Sequence, residues 1–150
     1  MSYEVNLPKG YVISDDRGRI DMEVVHTALA GVYWGLDRSR ALTERSWANC
    51  LCIGIYAPDG GLVGFGRVLT DYALRAHLGD VFVRLDLRGA GLGKRLVESI
   101  LAHPDLASVS HWTLTTEDAH GLYQRYGFRV AEPDGKWMTM DRTSTRREKE

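Results

Sequence analysis

Val81-Phe82-Val83-Arg84-Leu85-Asp86-Leu87-Arg88-Gly89-Ala90-Gly91-Leu92-Gly93-Lys94 reads as a strand that runs through a glycine-rich turn into a helix. Val81, Val83, Leu85 and Leu87 alternate with Phe82, Arg84 and Asp86, which is the period of a strand. Beyond the glycines, Leu92, Leu96, Val97, Ile100 and Leu101 recur at helical spacing, with Lys94, Arg95, Glu98 and Ser99 on the other face. Such a turn gathers backbone N–H groups at a helix N-terminus. Those groups and the helix dipole suit a phosphate or pyrophosphate.

Three glycine-rich patterns compete for this stretch. A Walker A loop requires Gly five residues before its Gly-Lys pair and Ser or Thr after the Lys. Arg88 and Arg95 occupy those places here. A dinucleotide fingerprint requires a third Gly where Lys94 stands. Arg-x-x-Gly-x-Gly is matched by Arg88, Gly91 and Gly93. This run resembles the coenzyme A pyrophosphate loop of the GNAT superfamily of acyl-CoA N-acyltransferases. A second run, Leu122-Tyr123-Gln124-Arg125-Tyr126-Gly127-Phe128, resembles the Leu-Tyr-x-x-x-Gly-Phe signature of the same superfamily. It sits on a helix predicted over 118–126, with Asp118 as N-cap and Gly127 as the left-handed residue that ends it.

The remaining elements are read from pattern and punctuation. Tyr11 to Ser14 is a first strand. Asp21 to Ala30 is a helix stopped by Gly31, and Asp37 to Ala48 is a second, capped by Asp37 or Ser39. Leu51 to Ala57 and Leu62 to Thr70 are strands joined by the turn Pro58-Asp59-Gly60-Gly61. Asp71 to His77 reads as a connection, and the loop-forming strand starts at Asp80. Strands at Trp112–Thr116 and Lys136–Asp141 complete the order. This gives an α+β (α/β) fold. The resemblance implies a mixed, mostly antiparallel sheet flanked by helices and splayed at the strand before the phosphate loop. A single domain over 1–141 with a polar tail over 142–150 is expected.

Composition is ordinary for a globular chain of 150 residues, with 44% hydrophobic and 26% charged residues. The net charge of −1 gives no basis for nucleic-acid binding, and no apolar run approaches a membrane span. Cys50 and Cys52 lie one residue apart in an apolar run and point the same way. Buried free thiols are the expectation, in keeping with a cytoplasmic location. His26, His77, His103, His111 and His120 show no metal-ligand spacing, so no metal is expected.

The resemblance implies acetyl-CoA as cosubstrate and an amine as acceptor. It assigns the cofactor loop to Arg88, Gly89, Ala90, Gly91, Leu92, Gly93 and Lys94. Backbone groups of Phe82 and Val83 would pair with the pantetheine arm, and the Val83 N–H would polarise the acetyl carbonyl. Tyr123 stands at the general-acid position. Thr116 occupies a place where many relatives carry Asn, and is a cofactor contact by that position alone. Tyr33 and Trp34 fall where the family often builds an acceptor pocket, and Asp71 and Asp80 are carboxylates that can approach it. Ordinary core packing explains Tyr33 and Trp34 equally well, turn and cap roles are the favoured reading of each carboxylate alone, and His120 reads as an exposed helix residue. Trp47 is read as core, near Leu42 and Leu51. Family members often pair, so a homodimer is part of the expectation. A noncatalytic acyl-CoA binding or sensing domain is the alternative function.

Overall fold

The computed structural model describes residues 2–32, 38–131 and 135–142. The chain falls into two compact units, Met1–Glu117 and Asp118–Glu150.

The first unit is a sheet of six strands in the order β1-β2-β3-β4-β5-β6. These are β1 (Glu4–Asn6), β2 (Val12–Ser14), β3 (Leu51–Tyr56), β4 (Leu62–Thr70), β5 (Arg75–Val83) and β6 (His111–Leu114). All neighbours pair antiparallel except β5 and β6, which are parallel. The parallel pair is joined by the crossover helix α3 (Leu92–Leu101), as parallel strands require. Two further helices, α1 (Met22–Ala30) and α2 (Arg40–Ala48), lie between β2 and β3.

Local chemistry accounts for most of these boundaries. Asp21 caps α1 by accepting from the N–H groups of Glu23 and Val24. Ser39 caps α2 through Leu42 N–H; Asp37, the other candidate, lies outside the described residues. Gly31 ends α1 in right-handed geometry (φ −81°), so its role there is not conformational freedom. Asp59 accepts from Gly61 N–H in the β3–β4 turn.

The core has two faces. Val25 and Leu29 of α1 and Trp47 of α2 pack with Cys50, Cys52, Tyr56, Leu62 and Phe65 on one side of the sheet. On α3, Leu96, Val97 and Ile100 are fully buried, and the helix packs on β3, β4 and β5. Trp47 is core as expected, but Leu42 is 42% exposed and takes no part.

Several expectations are corrected. β1 precedes the first expected strand, which begins at Tyr11; it is an edge strand held by pairing of Val5 with Ile13. β5 starts at Arg75 rather than Asp80, because Ala76 and Leu78 are buried in the middle of the sheet. The alternation that predicts a strand to Leu87 stops at Val83, and Leu85–Leu87 form one 3-10 turn with Leu85 70% exposed.

The second unit contains α4 (His120–Gln124), shorter than the helix predicted over 118–126. Asp118 is not its cap; Ala119 is, with no side-chain hydrogen bond. Gly127 is left-handed (φ +93°), as expected, and Phe128 N–H returns to the Tyr123 carbonyl. Phe128 is half-buried, with its ring edge-on to Tyr123. Lys136–Asp141 forms no strand, and Met138 and Met140 are 90% and 76% exposed.

Candidate functional site

β5 departs from regular pairing at its centre. Arg67 of β4 opposes Gly79, and Phe65 opposes Phe82. One residue of β4, Gly66, therefore faces two of β5, Asp80 and Val81, which makes a β-bulge. Asp80 has φ +54°, in the left-handed region that non-glycine residues seldom occupy. Gly66 lies beneath α3, where a Cβ would come within 3.2 Å of Ile100 Cδ1. A side chain there would require the tip of Ile100 to give by a few tenths of an ångström.

The other edge of β5 opens. Pairing with β6 runs from Arg75↔His111 to Leu78↔Leu114 and ends there, while β5 continues to Val83. Arg84 N–H donates to the Val63 carbonyl of β4 at 2.9 Å. The Val83 carbonyl of that same peptide therefore points away from β4, and Arg88 Nε donates to it at 3.3 Å. Strand alternation turns the Val83 N–H to this open side as well, and directs the Phe82 backbone into the β4 ladder. Phe82 stacks on Phe65 with ring centroids 5.6 Å apart.

The chain then enters the glycine turn. Gly89 (φ +86°) and Gly91 (φ +82°) are both left-handed, and nothing lies within 4 Å of a Cβ built on either. Gly91 is the N-cap of α3 and supplies no side-chain bond to it. The helix therefore presents its first N–H groups to a turn without side chains at two positions, which suits an anionic ligand approaching the backbone. Ala90, Lys94 and Arg95 are exposed, Gly93 is half-exposed, and Leu92 is buried as the anchor of the first turn.

On the α1–α2 side of the bulge lies a charge cluster. Asp80 Oδ2 accepts from Arg38 Nη2, Arg67 Nε and Trp47 Nε1, each at 3.0 Å. The Asp80 side chain is 4% exposed. Arg67 Nη1 also reaches Cys50 Sγ at 3.6 Å. Arg17 donates to the carbonyls of Trp47 and Cys50, fixing the far side of the same helix end. Cys50 and Cys52 are buried free thiols, as expected. Burial pushes the Cys52 thiol up to about 11 against the lowering influence of Arg17. Arg38 and Arg67 were not candidates from sequence, and no spacing links positions 38, 47, 67 and 80.

The remaining candidates are dispersed. Asp71 closes the β4–β5 turn: its Oδ1 accepts from the backbone N–H groups of Ala73, Leu74 and Arg75 at 2.8–3.1 Å. Those bonds, Arg75 first, hold its carboxyl below the usual range. Thr116 is half-buried just beyond β6, and His120 is exposed on α4. Tyr123 is buried, and burial followed by the charge of Asp118 raises its phenol above the ordinary value. Tyr33 and Trp34 lie outside the described residues. Among the described residues no three His, Cys, Asp or Glu side chains converge on a metal position, and no helix is long and apolar enough to cross a membrane.

Comparison with known proteins bears on this geometry. The family model of the acetyltransferase (GNAT) domain matches residues 48–130, which contain the bulge, the glycine turn and α4. A crystal structure of a GNAT-family acetyltransferase from Xanthomonas campestris is 39% identical, covering 87% of this chain and 92% of that one, with a TM-score of 0.83. An uncharacterized N-acetyltransferase, ycf52, from Pyropia yezoensis is 36% identical over 75 residues, 49% of this chain and 42% of that protein. L-2,4-diaminobutyric acid acetyltransferase from Halomonas elongata is 35% identical over 81 residues, 50% of this chain and 42% of that protein. The chain thus matches less than half the length of these curated relatives. With more than half of its residues inside the family model, the chain belongs to the GNAT family of acetyltransferases.

Proposed function

We propose that this chain transfers the acetyl group of acetyl-CoA to a primary amine of a small molecule by direct attack in a ternary complex. The observation that carries the reading is the open edge of β5 beyond Leu78, which leads directly into the left-handed glycines of the α3 cap. The pyrophosphate binds the backbone of Arg88–Lys94, with Arg88 and Lys94 supplying charge. The pantetheine arm pairs along the open edge at Val83, where Phe82 serves as the strand's anchor to β4. The Val83 N–H polarises the acetyl carbonyl. A neutral amine attacks the carbonyl carbon, a C–N bond forms and the C–S bond breaks. The departing thiolate takes a proton from Tyr123, and the amine loses one to solvent. A phenol raised above its usual value keeps that proton at neutral pH.

Direct attack is favoured because Cys52, with its thiol near 11, is a poor nucleophile at neutral pH. The small acceptor is in keeping with the name of the Halomonas relative. No resident metal, nucleic acid or membrane enters the reading; a single domain with its polar tail and a cytoplasmic location belong to it as expectations from the sequence, and a homodimer as a family expectation.

Calorimetric titration with acetyl-CoA tests it: saturable binding, weakened in Arg88→Ala, is expected, and no binding by folded protein sinks the loop assignment. Tyr123→Phe then separates enzyme from sensor. It should lower kcat by about 10²-fold with acetyl-CoA affinity kept. A protein with no turnover before the substitution is a binding or sensing domain.

A further inference from the structure

Among the described residues the charge cluster at the bulge is not balanced. Two guanidiniums converge on one oxygen of one carboxylate, with side chains 22%, 19% and 4% exposed for Arg38, Arg67 and Asp80. Among those residues one positive charge is left over on largely buried side chains, where an unmatched charge is costly. Arg38 Nε is buried with no hydrogen-bond partner. Arg67 spends Nη1 on a thiol, a weak acceptor. His77, on β5 two residues before Gly79, is held below its ordinary value by burial and by the Arg67 charge, so it adds no second cation at neutral pH. Arg17, beyond Trp47, brings further positive charge and no carboxylate.

We infer that Arg38 and Arg67 form a carboxylate-binding subsite for the acceptor, so that the amine acetylated here carries its own carboxylate. This rests on the acyl-transfer reading above. Asp80 lies three residues before Val83 on one strand, so the backbone that holds the subsite and the carbonyl-polarising N–H are at most about 10 Å apart. A chain of roughly four to six bonds between carboxylate and amine spans that gap, which fits an amino acid with a terminal amine. A single excess charge matches a carboxylate better than a phosphate, which carries about −1.5 to −2. Asp80 is then no acceptor ligand but the positioning residue that holds both guanidiniums. Arg38, whose side chain keeps a solvent-facing part beside its bond to Asp80, receives the carboxylate there.

The test is calorimetric titration of the full chain, loaded with coenzyme A, against 5-aminopentanoate, 1-aminopentane and 3-aminopropylphosphonate. 5-Aminopentanoate should bind about tenfold or more tighter than 1-aminopentane. Arg38→Gln should abolish that advantage and leave coenzyme A affinity intact, because Arg67 and Trp47 still hold Asp80. Arg38→Lys, which keeps the charge, should retain part of it. Equal binding of acid and amine, absence of 5-aminopentanoate binding, survival of the advantage in Arg38→Gln, or tighter binding of the phosphonate overturns the inference. Carboxylate preference without any acetyl transfer keeps the subsite and overturns the transfer reading instead.

Discussion

The two flanks of the bulge in β5 are built from different atoms. Toward α3 and the open edge, the site is backbone: the Val83 peptide, the left-handed Gly89 and Gly91, and the first turn of a helix capped without a side chain. Toward α1 and α2 it is side chains: one carboxylate, two guanidiniums and an indole drawn from α2, β4, β5 and the residue before Ser39. A backbone site tolerates change in its side chains as long as the glycines remain. A side-chain site is changed by any one substitution. The first suits a cosubstrate shared by a whole family, and the second suits an acceptor that differs between members.

The largest effect is expected at the keystone of the side-chain flank. Asp80→Ala strands two guanidiniums and should cost about 3–5 kcal/mol of stability in urea unfolding. A cost within a few tenths of that of an ordinary surface change would show that the carboxylate is not what holds the flank. On the backbone flank, Gly91→Val meets no atom within 4 Å, so its stability cost should be only the left-handed strain of about 1–2 kcal/mol. Acetyl-CoA affinity should nevertheless fall roughly tenfold, because the added side chain occupies the approach to the amides. Unchanged affinity would break the contrast between the flanks.

A pH series probes the thiols behind the cluster. The Cys52 thiol, raised from 9.0 to about 11, holds its proton more tightly in the folded chain than in the unfolded one. Its stability contribution is complete below pH 9.0 and declines as the pH rises toward about 11. Urea midpoints should fall across that window, and less so in Cys52→Ala. The smallest change is expected for Trp47→Phe. It keeps the edge-on ring contact with Phe65 at 5.3 Å and loses the indole bond to Asp80, for about 1 kcal/mol. A null result would assign the clamp to the arginines alone.

The same division explains what was legible. The glycine turn, the Ser39 cap of α2 and the β3–β4 hairpin were readable because each depends on residues a few positions apart. Asp21 and Ser39 meet N–H groups two or three residues on, and Gly127 is left-handed by a local preference. Boundaries failed where distant partners decide them. β5 begins five residues earlier than its alternation suggests because β4 and β6 flank Ala76 and Leu78. β1 exists because β2 offers an edge, and the alternation through Leu85 and Leu87 is overridden by the turn after Val83.

From sequence alone come the family, the cosubstrate expected and the strand-turn-helix that would hold it, since left-handed glycines at a helix start are a local property of the chain. The tertiary structure alone decides the bulge, the open edge and the Asp80 clamp. A bulge is a mismatch of register between two strands, and an open edge is a difference in length between two more. The clamp joins residues 38, 47, 67 and 80, and no local rule brings two guanidiniums and an indole to one carboxylate oxygen. Only closure of the sheet around α2 does so, by burying a carboxylate that must then find its donors.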